Sequence, residues 1–142
     1  WHELGEAREL SGDLAGADAA YSRGLALDPM QGRFLISRAR VKVKARRAAE
    51  ALADLDAALA GDPFSEEVLV MRGALHAGSG RPDLGRADLE RALETNRQYH
   101  KLTPGTYAMA ARLLSDLHRK AGRAAEADAT AKLAAELEQD RR

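Results

Sequence analysis

The feature of this 142-residue chain that most narrows its fold is a periodic return of very small side chains. Gly5, Ala39 and Gly73 recur at a constant step of 34, as do Ala17, Ala51 and Gly85, and again Gly24, Ala58 and Ala92. Larger apolar residues keep the same step: Trp1, Leu35 and Leu69; Tyr21, Leu55 and Leu89; Leu25, Leu59 and Leu93. Pro29 and Pro63 close the first two units at this interval. A fourth unit follows at a step of 42, from Gly80 to Gly122, Gly85 to Ala127 and Ala92 to Ala134, so an insertion of eight (42 less 34) falls near 97–104. A fixed period of this length is the mark of stacked supersecondary units.

Each column has a physical reason. Two helices approach closely only where side chains are small, so the first two Gly/Ala columns let the helices of one hairpin touch and the third serves contact with the next hairpin. The Leu and Tyr columns fill the space beside those contacts. Gly12, Gly80 and Gly122 fall at turns between helices, where a positive φ is often required. Pro29 and Pro63 cannot continue a helix and separate one hairpin from the next. Ala, Leu and Arg dominate the composition, and aromatics make up only 4%, which favours helices.

Helices are expected at about 1–11, 14–28, 31–45, 48–61, 65–79, 82–97, 104–121 and 124–139. Ser65 followed by Glu66 and Glu67 reads as an N-cap with first-turn acids, and Thr103-Pro104 as an N-cap with proline at the first helical position. The stretch from Arg97 to Leu102 has no Gly or Pro, and the favoured reading is that it lengthens the sixth helix by about two turns; the other is a surface loop. The polar last helix, with Glu126, Asp128, Lys132, Glu136 and Glu138, reads as a C-terminal cap. A start at Trp1 without a methionine suggests a fragment of a longer protein.

Little chemistry is visible. Lys plus Arg (22) equals Asp plus Glu (22), which argues against a general nucleic-acid or acidic-membrane surface. The absence of Cys excludes disulfides, thiolate metal sites and a cysteine nucleophile. No apolar run reaches membrane-spanning length, so no membrane insertion is expected, and no signal peptide is visible. His2, His76, His100 and His118 form no metal-binding or acid–base spacing. His76 and His118 share one repeat column and read as packing residues. Gly78-Ser79-Gly80 joins two helices and reads as a turn rather than a phosphate loop. No catalytic residue, metal or cofactor is assigned, and the compartment stays open, with the cytoplasm slightly favoured.

The pattern resembles the tetratricopeptide repeat family. Trp1-x-x-Leu4-Gly5, Gly12-Asp13, Ala17-x-x-x-Tyr21-x-x-Gly24 and Leu27-Asp28-Pro29 carry the likeness in the first unit. Ala39, Ala51, Leu55, Ala58 and Asp62-Pro63 carry it in the second, and Gly73, Gly80, Leu89 and Ala92 in the third. The departures are Arg38 and Arg72 in a column usually Leu, and Arg8, Lys42, His76 and His118 in one usually Tyr. Arg97 stands in place of the third closing proline, and the fourth unit has Ala111, Ser115 and Ala131. The resemblance implies an all-α, right-handed α-solenoid of about four stacked antiparallel helix-turn-helix hairpins. Its units are about 1–29, 30–63, 64–97 and 104–140 of a single repeat domain.

The resemblance also implies where a partner would sit. In the family the first helix of each hairpin lines the concave face. Carried over by position, that face presents Arg33, Ile36, Ser37, Arg40 and Lys44; Val70 and Met71; and Met109, Arg112, Leu113, Asp116 and Arg119. His2, Glu6, Glu9 and Leu10 would come from the first unit. The expectation is a non-catalytic protein-interaction scaffold that grips an acidic and apolar peptide or helix. The Lys/Asn clamp that some relatives use for a chaperone carboxylate is missing: the matching positions are His2, Glu6, Ser37, Glu67 and Met71. Alternatives are self-association through the N-terminal hairpin and a docking or regulatory domain of a larger enzyme. RNA reading ranks behind these, because the chain is neutral and holds one Asn, Asn96.

Overall fold

The computed structural model describes residues 1–99 and 102–139, and these form eight α-helices with no strand among them. They are α1 (His2–Leu10), α2 (Leu14–Leu27), α3 (Gly32–Lys44), α4 (Ala48–Gly61), α5 (Glu66–Gly78), α6 (Pro82–Tyr99), α7 (Pro104–Lys120) and α8 (Ala124–Gln139). Apart from the end of α6, every boundary agrees with the expected one to within a single position. Two compact units result, Trp1–Pro63 with α1 to α4 and Phe64–Arg142 with α5 to α8.

In the first unit α1 packs on α2, α2 on α3 and α3 on α4. Tyr21, Ala17 and Val41 form its buried centre, with Leu14 and Phe34 packed against them. The small-residue columns do what the spacing requires. A Cβ on Gly5 would collide with the ring carbons of Tyr21, so the ring lies across α1 only because that position is bare. Ala39, Ala51 and Leu55 are fully buried between α3 and α4.

All four hairpin turns close in the same way. The N–H of Asp13, Arg47, Arg81 and Arg123 donates to the carbonyl of Arg8, Lys42, His76 and His118 respectively. The residue just before each donor is left-handed: Gly12 (φ 82), Gly80 (φ 74), Gly122 (φ 73) and, in the second hairpin, Arg46 (φ 59). This is the Schellman closure. Arg46 adopts it at a cost of roughly 1–2 kcal/mol that glycine escapes.

In the second unit α5 packs on α6, α6 on α7 and α7 on α8, with α5 also touching α7. Val68, Leu69, Leu89, Ala92, Ala110, Ala111 and Leu114 fill the interior. His76 and His118 are buried, as their column requires. α8 buries only Ala127 and Ala134, the polar profile expected of a terminal helix. Ser65 occupies the N-cap of α5 but makes no side-chain capping bond. Thr103 does cap α7, its hydroxyl accepting from the Thr106 N–H at 3.2 Å, with Pro104 in the first turn.

The inserted stretch corrects one expectation. α6 ends at Tyr99, just beyond the expected end at Arg97, and Leu102 and Thr103 are not helical. The Leu102 N–H donates instead to the Asn96 side-chain oxygen at 2.8 Å, a local bond that replaces the helical one at that position. The two-turn extension is therefore not formed. His100 and Lys101, which belong to that reading, lie outside the described residues.

Candidate functional site

The first unit brings α1 and α3 together through a polar cluster around Glu9. Its carboxylate accepts from Arg40 Nε at 3.1 Å and Lys44 Nζ at 2.7 Å, and from the Tyr21 hydroxyl at 3.4 Å. The Glu9 side chain is only 8% exposed. Burial alone would raise its pKa, but the hydrogen bonds and charges of Lys44 and Arg40 outweigh it and hold the carboxyl below its ordinary value. The same environment, burial first and then the Glu9 charge, raises the Tyr21 phenol. Nearby, the His2 ring packs tilted against Tyr21 and edge-on against Phe34, and shares a 3.1 Å hydrogen bond with Ser37. A shallow cavity of about 300 Å³ opens beside Glu6, Glu9, Leu10, Arg40 and Lys44.

This geometry revises the groove drawn from sequence. Ser37 is buried and spends its hydroxyl on His2, so it lines the core and not a ligand surface. Arg40 and Lys44 line the cavity beside Glu9, which already pairs with both. Arg33 is exposed and Ile36 half-buried on the same helix.

The Glu9 cluster has a pH signature. A depressed folded-state pKa contributes stability above the unfolded value of about 4.5 and loses it as pH falls through the folded value. Lys44 is half exposed, so the contribution is about 1 kcal/mol after screening. Glu9→Gln should therefore melt below the wild-type chain at neutral pH, and the gap should close in acid, below the carboxylate range. Thermal melts across that range measure it.

In the second unit the expected residues divide. Val70 is buried and belongs to the core, because α5 turns that side inward. Met71 and Leu113 are half-buried, and Met109 is 54% exposed. Met109, Arg112, Leu113 and Asp116 follow i, i+3, i+4, i+7 spacing and share one face of α7. Arg112 pairs with Glu138 of α8, and Arg119 pairs with Asp116 at 3.2 Å. Both arginines are nearly two-thirds exposed, so these pairs hold them weakly and leave their charge open to exchange.

Sequence reasoning missed the acidic partners of the two unusual arginines. Arg38 grips Asp54 with both arms, Nε to Oδ2 at 2.9 Å and Nη2 to Oδ1 at 2.6 Å, and reaches the Ser22 hydroxyl at 3.0 Å. Lys42 donates to the same carboxylate at 2.7 Å. Arg72 repeats the fork on Asp88, both distances 2.8 Å. Hydrogen bonding to Asp54 raises the Arg38 pKa against the effect of burial. The signal was present in the spacing: Asp follows Arg at the same interval in both hairpins, and the pair Arg38–Asp54 recurs one repeat step later as Arg72–Asp88. Among the described residues no group of three or more His, Asp or Glu side chains is arranged to hold a metal ion, and no helix is long and apolar enough to cross a membrane.

No protein-family model and no curated protein matches the chain. Solved structures do. A crystal structure of MamA protein superposes with a TM-score of 0.84 at 20% identity, over 96% of this chain and 70% of that one. MamA from Desulfovibrio magneticus RS-1 gives 0.82 at 18% identity, over 98% and 74%. A further MamA crystal structure gives 0.61 at 18% identity, over 99% and 98%. At these identities the likeness is one of fold. The all-helical hairpin architecture expected from the repeat columns is the one that this chain shares with the MamA structures.

Proposed function

We propose that the chain is a non-catalytic protein-interaction scaffold, and that the α7 face of the second unit receives a peptide or helix of a partner protein. The observation that carries this reading is Met109. It is a large flexible apolar side chain more than half exposed, and it shares a helix face with Leu113 and the two loosely held cations Arg112 and Arg119. Met adapts to varied apolar surfaces, and Arg pairs with carboxylates. The ligand class is thus apolar with acidic flanks.

Calorimetric titration of an amphipathic acidic helix and its Lys-substituted counterpart tests this. The acidic helix should bind more tightly, and Arg112→Ala should weaken it more than Arg40→Ala, because a ligand must displace Glu9 to reach Arg40. Equal binding of the two helices, or none, removes the proposal.

A second reading, self-association through the N-terminal hairpin, is favoured by its exposed apolar residues: Leu4 and Leu10 of α1, and Trp1 just before it, which the Arg23 guanidinium covers on one face. Light scattering over a concentration series separates the two, since a monomer at all concentrations leaves only the first.

A further inference from the structure

The second unit contains a cleft of about 500 Å³ flanked by α6 and α8 with α7 between them. Its origin emerges when the repeat is used as an internal comparison. α6 lies two short repeat steps after α2, whereas α7 follows α3, and α8 follows α4, by one short step and the one long step. In the first unit the corresponding space is crossed by two arginines. Arg38 joins Ser22 of α2 to Asp54 of α4. Arg47 joins Asp18 of α2 to Glu50 of α4, at 2.6 and 2.7 Å.

Neither strap exists in the second unit. Leu114 stands at the Arg38 position and Thr130 at the Asp54 position, so the buried guanidinium and its carboxylate are both gone. Arg86 stands at the Asp18 position and Arg123 at the Arg47 position, which removes the second attraction. A negative charge has appeared instead where Ser22 was. Glu90 lines the cleft, is 47% exposed, and approaches Arg86 Nε only to 3.9 Å and His118 Nε2 only to 3.6 Å. Both exceed hydrogen-bond distance, so among the described residues its oxygens accept no hydrogen bond. His118, at the Lys42 position, also lines the cleft. Its side chain is 5% exposed and its Nδ1 has no partner.

We propose that this cleft is a docking site for an arginine side chain of a partner protein. The guanidinium takes the place that Arg38 fills in the first unit, with Glu90 as its carboxylate. Leu93, Leu114 and Leu133 line the cleft and cover the methylene stem, the amphipathic arrangement an arginine prefers. The rim is acidic on balance: Glu90, Glu94 and Glu126 against Arg97 and Arg123, with Arg97 itself engaged by Glu94 at 3.2 Å. A fork-shaped donor is favoured over an ammonium because it can bridge separated acceptors. This site differs in place and in charge preference from the α7 face, so the two can fail separately.

N-acetyl-arginine methylamide, titrated into the isotopically labelled chain and followed by backbone amide chemical shifts, is the probe. The expected result is saturable shifts over 90–94 and 126–133, absent with the neutral isostere N-acetyl-citrulline methylamide. Glu90→Gln should weaken binding about tenfold. The double variant Leu114→Arg with Thr130→Asp rebuilds the internal strap, and it should abolish the shifts while the chain keeps its helical circular dichroism. No saturable shift, an equal response to citrulline, shifts elsewhere in the chain, or unchanged affinity in Glu90→Gln would overturn the proposal.

Discussion

Replacing Asp54 with alanine should destabilise the chain by about 3–5 kcal/mol, the range for removing one partner of a buried ion pair. Asp54 is 4% exposed and receives Arg38 on both oxygens and Lys42 on one. Without it two cations lose their counter-charge at once. Arg38 keeps about a fifth of its side chain in water and can partly recover there, but Lys42 is 9% exposed and cannot. Most of the loss therefore comes from Lys42. Asp88→Ala should cost less, because its fork serves Arg72 with no lysine beside it. The decisive contrast is the triple variant Arg38→Leu, Lys42→Leu, Asp54→Ala. Removing all the charges together removes their desolvation cost, so this chain should lie within about 1 kcal/mol of wild type or above it. Urea unfolding of the three chains measures the ordering. A triple variant as unstable as Asp54→Ala would mean that the carboxylate contributes more than charge compensation.

The same cluster marks the limit of what the sequence made legible. Helix positions, turns and the two-to-a-hairpin arrangement follow from the columns of Gly, Ala and Leu, because close packing depends on side-chain volume and volume is written directly in the residue type. The columns give the positions of Arg38 and Arg72 but not their meaning. An arginine in a leucine column reads as a departure until the aspartate on the next helix is placed opposite it, and that requires the hairpin geometry. The groove shows the same boundary. The family resemblance placed Ser37 and Val70 on the ligand side, yet both are buried. Whether Arg40 and Lys44 are open to a ligand depended on Glu9, a carboxylate two helices back in the chain. That Leu102 leaves the helical ladder shows only in its bond to the Asn96 side chain.

Gly85→Leu should be among the most damaging single substitutions in the second unit, at about 3 kcal/mol or more. Gly85 occupies the column that holds Ala17 and Ala51, so the repeat alone would allow a side chain there. The local geometry does not. A Cβ on Gly85 would stand 2.8 Å from the Gly73 carbonyl oxygen and 3.0 Å from the Ala77 backbone nitrogen. Both are main-chain atoms of α5 and cannot swing aside as a side chain would. Gly73 faces the same contact from the other helix, its own added Cβ meeting the Gly85 carbonyl oxygen at 3.1 Å. Two bare positions thus bring α5 and α6 together backbone to backbone. Gly85→Ala isolates the effect. Helix propensity favours alanine by about 1 kcal/mol, whereas the clash forces α5 and α6 apart, and the net should still be a loss of about 1–2 kcal/mol. Gly61→Ala supplies the control, since nothing lies within 4 Å of its added methyl and the reduced freedom of the unfolded chain should raise stability by about 0.5 kcal/mol. Thermal melts of the three variants give the test. Should Gly85→Ala melt at or above the wild-type chain, α5 and α6 are not in backbone contact and the pairing of Gly73 with Gly85 is wrong.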